Sequence, residues 1–123
     1  MSNTNKKTLV IGASIKPERY SNIATRRLVN NNIDTIALGL REGNIGAVKI
    51  LTERPNDQNI HTVTLYIGAK HQPDFYDYII QLNPQRVIFN PGTENPEFYE
   101  LLQKKDIEVV IACTLVLLST DNY

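Results

Sequence analysis

The residues best suited to chemistry lie close together near the start of the chain. They are Gly12, Ser14, Lys16 and Arg19, within the run KTLVIGASIKPERYSN at positions 7–22. A glycine after an apolar strand lets the backbone approach a ligand closely, and a helix beginning beyond it points unpaired N–H groups at the same spot. Phosphate is the natural occupant of such a turn. The dinucleotide fingerprint GxGxxG would need glycine at 12, 14 and 17, whereas this chain has Gly12, Ser14 and Pro17. In their place Ser14 offers a hydroxyl, and Lys16 and Arg19 add cationic donors, so the loop is built for more charge than a compact glycine turn. A second basic feature follows the next strand, in Leu38-Gly39-Leu40-Arg41. NAD binders place an acid there to hold the ribose hydroxyls, and an arginine suits a phosphorylated ribose better. The alternative reading of Arg41 is a solvated loop residue.

Other chemically capable groups argue less for catalysis. His61 precedes a strand and His71 a helix, and neither has an acid or nucleophile at a telling spacing. Glu97 and Glu100 resemble paired carboxylates, but their place in the first turn of a helix already has an electrostatic explanation. The single Cys113 supplies neither a disulfide partner nor a CxxC metal framework. It reads as a small buried hydrophobe, the alternative being a thiol close enough to a ligand to form a mixed disulfide.

The elements that must position these groups can be read in order. Thr8–Ile11 is a buried strand, and Ser21 or Asn22 caps a helix with Ile23, Ala24 and Leu28 inward, ended by Asn31 or Asn32. Asp34–Leu38 is a strand closed by Gly39, Ala47–Leu51 a short edge strand, and Thr62–Ile67 a strong strand ending at Gly68. From Pro73 the spacing of Phe75, Tyr78, Ile79 and Leu82 predicts a helix stopped by Asn83-Pro84. Arg86–Phe89 is a strand and Asn90–Thr93 a turn; Asn95 caps a helix that Pro96 starts, with Phe98, Leu101 and Leu102 inside. Val109–Ala112 is the last strand, and Leu115–Leu118 remains as an apolar tail, read as a stretch packed on its own sheet or in a homodimer. Strands alternating with helices predict an α/β fold: one Rossmann-like, doubly wound, mainly parallel sheet of roughly five to six strands flanked by helices. Ligands of such sheets bind outside the carboxyl ends of the strands. That places Gly12-Ala13-Ser14, Gly39 to Arg41, Ile67-Gly68 and Asn90-Pro91-Gly92 on the rim of the candidate site.

The 123 residues suit a single domain, with residues 1–6 expected to be a flexible start. No apolar run reaches a membrane span, and MSNTNKK lacks the core of a signal peptide, so a cytoplasmic protein is expected. The formal net charge of zero argues against a nucleic-acid or membrane-surface role. Residues 1–54 nevertheless hold nine Lys/Arg against four acids, and residues 55–123 the reverse. Surface scatter is one reading of that split, and an anionic ligand held by the first half is the other.

With these residues in view, the chain resembles the small stand-alone coenzyme A-binding protein family, whose Rossmann-type domain is similar to that of the succinyl-CoA synthetase alpha subunit. The resemblance runs from Thr8 to Cys113. Its most specific part is Gly12 to Asn22, including Pro17-Glu18-Arg19-Tyr20-Ser21-Asn22. Weaker matches are Gly46 followed by Lys49, the Asn90 to Asn95 turn, and Cys113. The resemblance implies that coenzyme A (CoA) lies across the strand ends, with Gly12, Ala13 and Ser14 against phosphate and Arg19, Tyr20, Ser21 and Asn22 nearby. The chain departs from the family where Gly39-Leu40 replaces Asn-Pro, and where Gly68-Ala-Lys-His replaces a basic, proline-rich loop. The phosphorylated histidine of the synthetase lies in a second domain without a counterpart here. Three readings follow. The first is non-catalytic binding of CoA or an acyl-CoA, with a homodimer or an acyl-CoA enzyme as partner. The second is an NAD(P)-dependent oxidoreductase fragment, Arg41 favouring NADP. The third is an interaction domain with a vestigial pocket and Leu115–Leu118 as its contact surface.

Overall fold

β1 (Thr8–Ala13) runs through the middle of a seven-stranded sheet, and the reason is visible in its burial. Leu9 and Ile11 face one side and Val10 the other, and all three are shut off from solvent. A strand apolar on both pleat faces needs cover on both, which parallel sheets flanked by helices provide. The computed structural model describes residues 6–123, so most of the segment expected to be flexible, residues 1–5, lies outside the described residues. Lys6 is described, and its Nζ donates to the Tyr123 backbone oxygen at 2.7 Å.

The other strands are β2 (Thr35–Gly39), β3 (Gly43–Ile45), β4 (Val48–Leu51), β5 (Thr62–Leu65), β6 (Arg86–Phe89) and β7 (Glu108–Ile111). Their order is β3-β4-β2-β1-β5-β6-β7, and every pairing is parallel except β3 with β4. The chain moves outward from β1 on one side, then returns and moves outward on the other. The switch point therefore lies at the carboxyl end of β1. The α/β, mainly parallel fold is as the sequence predicts, with more strands than the expected five to six. The addition is β3, too short for its periodicity to register, which closes an antiparallel hairpin with the expected edge strand.

The helices are α1 (Tyr20–Asn30), α2 (Tyr76–Leu82), α3 (Pro96–Gln103) and α4 (Thr114–Ser119). α2 and α3 cover one face, where Leu9, Ile11, Val63, Leu65, Val87 and Phe89 meet Ile79, Phe98 and Leu102. The opposite face is covered by α1 and α4 through Leu28, Leu117 and Leu118. Leu115–Leu118 is thus part of a helix, with Leu117 and Leu118 packed on the sheet, the packing expected of the tail, although its helical form was not. Six residues are too few to declare a helical period. Asn95 caps α3 as expected, its Oδ1 accepting from the Phe98 N–H at 3.4 Å.

At the amino ends of the strands, opposite the switch point, His61 Nδ1 bonds Thr62 Oγ1 at 2.7 Å, and Arg86 Nε donates to the same hydroxyl at 2.8 Å. Burial pushes the His61 imidazole below its usual 6.5, the Arg86 and Lys6 cations add to this, and Glu108 opposes it. The folded chain therefore holds this proton less well than the unfolded one. Its stability is whole above the unfolded value and falls as pH drops through that value and on through the folded one. His61→Gln should flatten this part of the acid decline, as measured by melting temperature from roughly pH 8 down to pH 5. An unchanged pH slope would contradict it.

Candidate functional site

At its carboxyl end β1 shifts register against β2, with Ile11 opposite Leu38 and Ala13 opposite Gly39, so that Gly12 has no opposite number. Gly12 sits at φ +98°, and a Cβ there would lie 3.0 Å from the Tyr66 carbonyl and the Ile67 side chain. A Cβ on Gly39 would lie 2.5 Å from the Ala13 carbonyl oxygen. The two glycines let β1, β2 and β5 close together, and they bring backbone rather than side chains to the rim.

The loop beyond is held from below. Ser14 Oγ accepts from the Lys16 N–H at 3.1 Å, and Asn22 Nδ2 donates to the Ser14 carbonyl at 2.8 Å. Arg26 in turn donates to Asn22 Oδ1 at 2.8 Å and to the Pro17 carbonyl at 3.1 Å. Asn22 is therefore a tie for the loop and not the cap expected from its type. Ser21 is not the cap either; both are buried inside the first turn, and α1 begins after Arg19, whose side chain makes no cap bond. No acid occupies that turn, and among the described residues the Tyr20 and Ser21 N–H groups have no partner. A helix start of this kind favours an anion.

Two arms of one cleft meet at Gly12, Ser14, Arg19 and Tyr66. The larger, about 840 Å³, passes between the β2 loop and the segment after β5; its charged lining is Lys16, Arg19, Arg41, Arg54, Lys70 and Asp74, with His71 beside them. Leu40 and Ile15 present exposed apolar surface in the same arm. The smaller arm, about 250 Å³, runs past Tyr20, Ser21, Gly68, Pro91, Gly92 and Thr93, with Arg19 its single charged lining residue among the described residues. One arm is strongly basic and the other nearly neutral.

The structure gathers most of the residues expected at the site. Gly12, Ala13, Ser14, Lys16, Arg19, Gly39, Arg41 and Ile67 line the larger arm, and Tyr20, Ser21, Pro91 and Gly92 the smaller. Three do not line either. Asn22 lies beneath the loop. Asn90 is buried, donating to Thr64 Oγ1 at 2.7 Å and the Leu65 carbonyl at 2.8 Å while accepting from the Thr114 N–H at 2.8 Å. Lys49 is exposed on β4 opposite Asn44. Cys113 sits before α4 outside the lining of both arms.

Sequence reasoning missed Tyr66, Arg54, Lys70 and His71 as lining residues. Tyr66 stands where the arms join, its hydroxyl cut off from solvent and without a bonded partner among the described residues. Burial pushes this phenol up to about 12; Thr114 and Thr64 are near enough to temper the shift, but their hydroxyls bond each other at 2.8 Å. Arg54 follows a predicted strand end, which was its one legible signal. It forms a 2.7 Å ion pair with Asp74, whose side chain is 85% exposed. Such a pair adds less than about 1 kcal/mol to stability.

Gln72 fixes the rim between the β5 and β6 loops. It is fully buried, donating to the Ile67 carbonyl at 3.0 Å and the Thr93 carbonyl at 2.8 Å, and accepting from Asn95 at 3.0 Å. Gln72→Leu would leave the Ile67 and Thr93 carbonyls without this donor, would cost Asn95 one of its two Nδ2 bonds, and should destabilise the chain by about 2 kcal/mol, read from its urea midpoint. A midpoint equal to that of the parent would show that the rim does not depend on this bridge.

Residues 6–119 match the family described as CoA binding domain, and the chain belongs to that family. A solved structure titled only as an uncharacterized protein is similar at 45% identity and a TM-score of 0.95, covering 98% of this chain and 100% of its own. A hypothetical protein from Pyrococcus horikoshii OT3 is 24% identical, with a TM-score of 0.81 over 91% of this chain and 80% of that one. Prb, a protein redesigned for binding, is 22% identical, with a TM-score of 0.83 over 96% of this chain and 84% of its own. These last two likenesses speak for the fold alone. No curated protein matches the chain. Among the described residues no helix is long and apolar enough to cross a membrane.

Proposed function

We propose that this chain is a binding protein for coenzyme A or an acyl-CoA thioester and carries out no reaction on it. The observation that carries the reading is the two-armed cleft with Gly12, Ser14 and Arg19 at its junction. CoA has the same plan: a charged adenosine phosphate at one end, a pyrophosphate in the middle and a neutral pantetheine at the other. In this reading the pyrophosphate lies against Gly12, Ala13 and Ser14 at the start of α1, with Lys16 and Arg19 supplying charge-assisted bonds. The nucleoside enters the basic arm, its base against the apolar surface of Ile15 and Leu40 and its ribose phosphate toward Arg41. Pantetheine follows the small arm past Tyr20, Ser21 and Gly92. Family membership supports a CoA-type ligand. His61 lies at the opposite end of the sheet, and only His71 of the two histidines lines the cleft.

Native mass spectrometry of the purified chain, offered CoA and NADP in equal amounts, tests the choice of nucleotide. The expected spectrum shows one CoA per chain. A chain that takes NADP and leaves CoA would overturn the proposal, as would one that takes neither.

A further inference from the structure

We infer that Arg54 reads a second phosphate group on the ligand, and thereby selects a nucleotide with a phosphorylated ribose over one with a free ribose hydroxyl. The inference rests on the CoA reading above and adds the residue that sets its specificity. Arg54 lies just beyond β4, three residues after Leu51, and lines the basic arm together with Arg41. Its guanidinium is held before any ligand arrives. Nη1 donates to the Asp74 carbonyl at 3.0 Å and Nη2 to Asp74 Oδ2 at 2.7 Å. The group also stacks 4.2 Å over the Phe75 ring and 5.5 Å from that of Tyr78.

A guanidinium has five N–H donors in a rigid fork. Two are used by Asp74, and among the described residues the other three have no partner. The side chain is therefore oriented, with its rotamer freedom already restricted, and still has donors to give to a phosphate. Such preorganisation raises affinity for the group recognised without new contacts elsewhere. Asp74 also lines the arm, and it is the positioning residue because its carbonyl and carboxylate hold the Arg54 fork in place. An exposed ion pair is a weak stabilising device, so its orienting effect is the more consequential one. The clasp also joins two separate rim segments, the crossover after β4 and the turn after β5.

The test compares CoA with dephospho-CoA, which lacks only the ribose phosphate, by calorimetric titration of the whole chain. The parent should bind CoA at least about tenfold more tightly, the order expected for one charge-assisted contact. In Arg54→Gln that preference should fall to about twofold, with the affinity for dephospho-CoA unchanged. Arg54→Lys, which keeps the charge and loses the fork, should retain an intermediate preference. A preference undiminished in both variants would overturn the inference, and so would an equal loss for both ligands, which marks Arg54 as a structural clasp. If Arg54→Gln fails to fold, Arg54→Lys decides alone. Equal binding of the two ligands by the parent refutes this inference only, whereas binding of neither refutes the CoA reading as well.

Discussion

Arg19→Glu is expected to weaken CoA binding by about 100-fold or more while leaving the melting temperature nearly unchanged. Arg19 is exposed and borders both arms, and its side chain makes no bond that the fold requires. A charge-assisted hydrogen bond to phosphate is worth about 1.5–3 kcal/mol. Reversing the charge removes that attraction and sets a carboxylate against the pyrophosphate, so a total near 3 kcal/mol, about 100-fold in affinity, follows. Ser14→Asp should act in the same direction. Its carboxylate can still accept from the Lys16 N–H, so the turn survives, but a negative charge then faces the anion. Calorimetry of both variants, with circular dichroism as the folding control, checks the pair. Binding equal to the parent in Arg19→Glu would remove the phosphate from this loop.

Gly12→Ala is expected to damage the fold and the site together. At φ +98° a side chain is strained, and its Cβ would sit 3.0 Å from backbone atoms of Tyr66 that belong to the neighbouring chain segment. Conformational strain costs about 1–3 kcal/mol and crowding of a packed region a similar amount. A loss of about 3 kcal/mol would lower the melting temperature by more than about 10 °C in a domain of this size. The segment that must yield is Tyr66-Ile67, just beyond β5, so the junction of the two arms opens and CoA affinity falls as well. Thermal unfolding with and without CoA separates the two effects. A melting temperature within a degree or two of the parent would show that the close approach of β1 and β5 is not required.

What was legible in the sequence follows from how local each signal is. Asn95-Pro96 announced the start of α3 because a cap and a first-turn proline act over three residues. β6 was read from the β-branched run of Arg86–Phe89, and both its pleat faces are indeed buried. Asn22 was misread because its side chain answers to Ser14 and Arg26, and tertiary demand outweighed the capping preference of its type. β3 went unseen because three residues carry no period, and α4 because its four consecutive apolar residues look alike as helix or tail. The loop from Gly12 to Asn22 could be read as one continuous stretch. Arg54 could not, since its partner Asp74 is distant in sequence and only the β4–β5 crossover brings them together. Tyr66 was hidden in the same way, its surroundings of Thr64 and Thr114 arising from β5 and the start of α4.

The central claim is that this cleft holds CoA, and calorimetric titration of CoA into the full chain tests it most directly. The account predicts saturable one-to-one binding that weakens as salt is raised, because phosphate contacts by exposed Lys16, Arg19 and Arg41 are screened. A folded chain that shows no saturation at about 1 mM CoA, where the binding free energy is only about 4 kcal/mol, would contradict it.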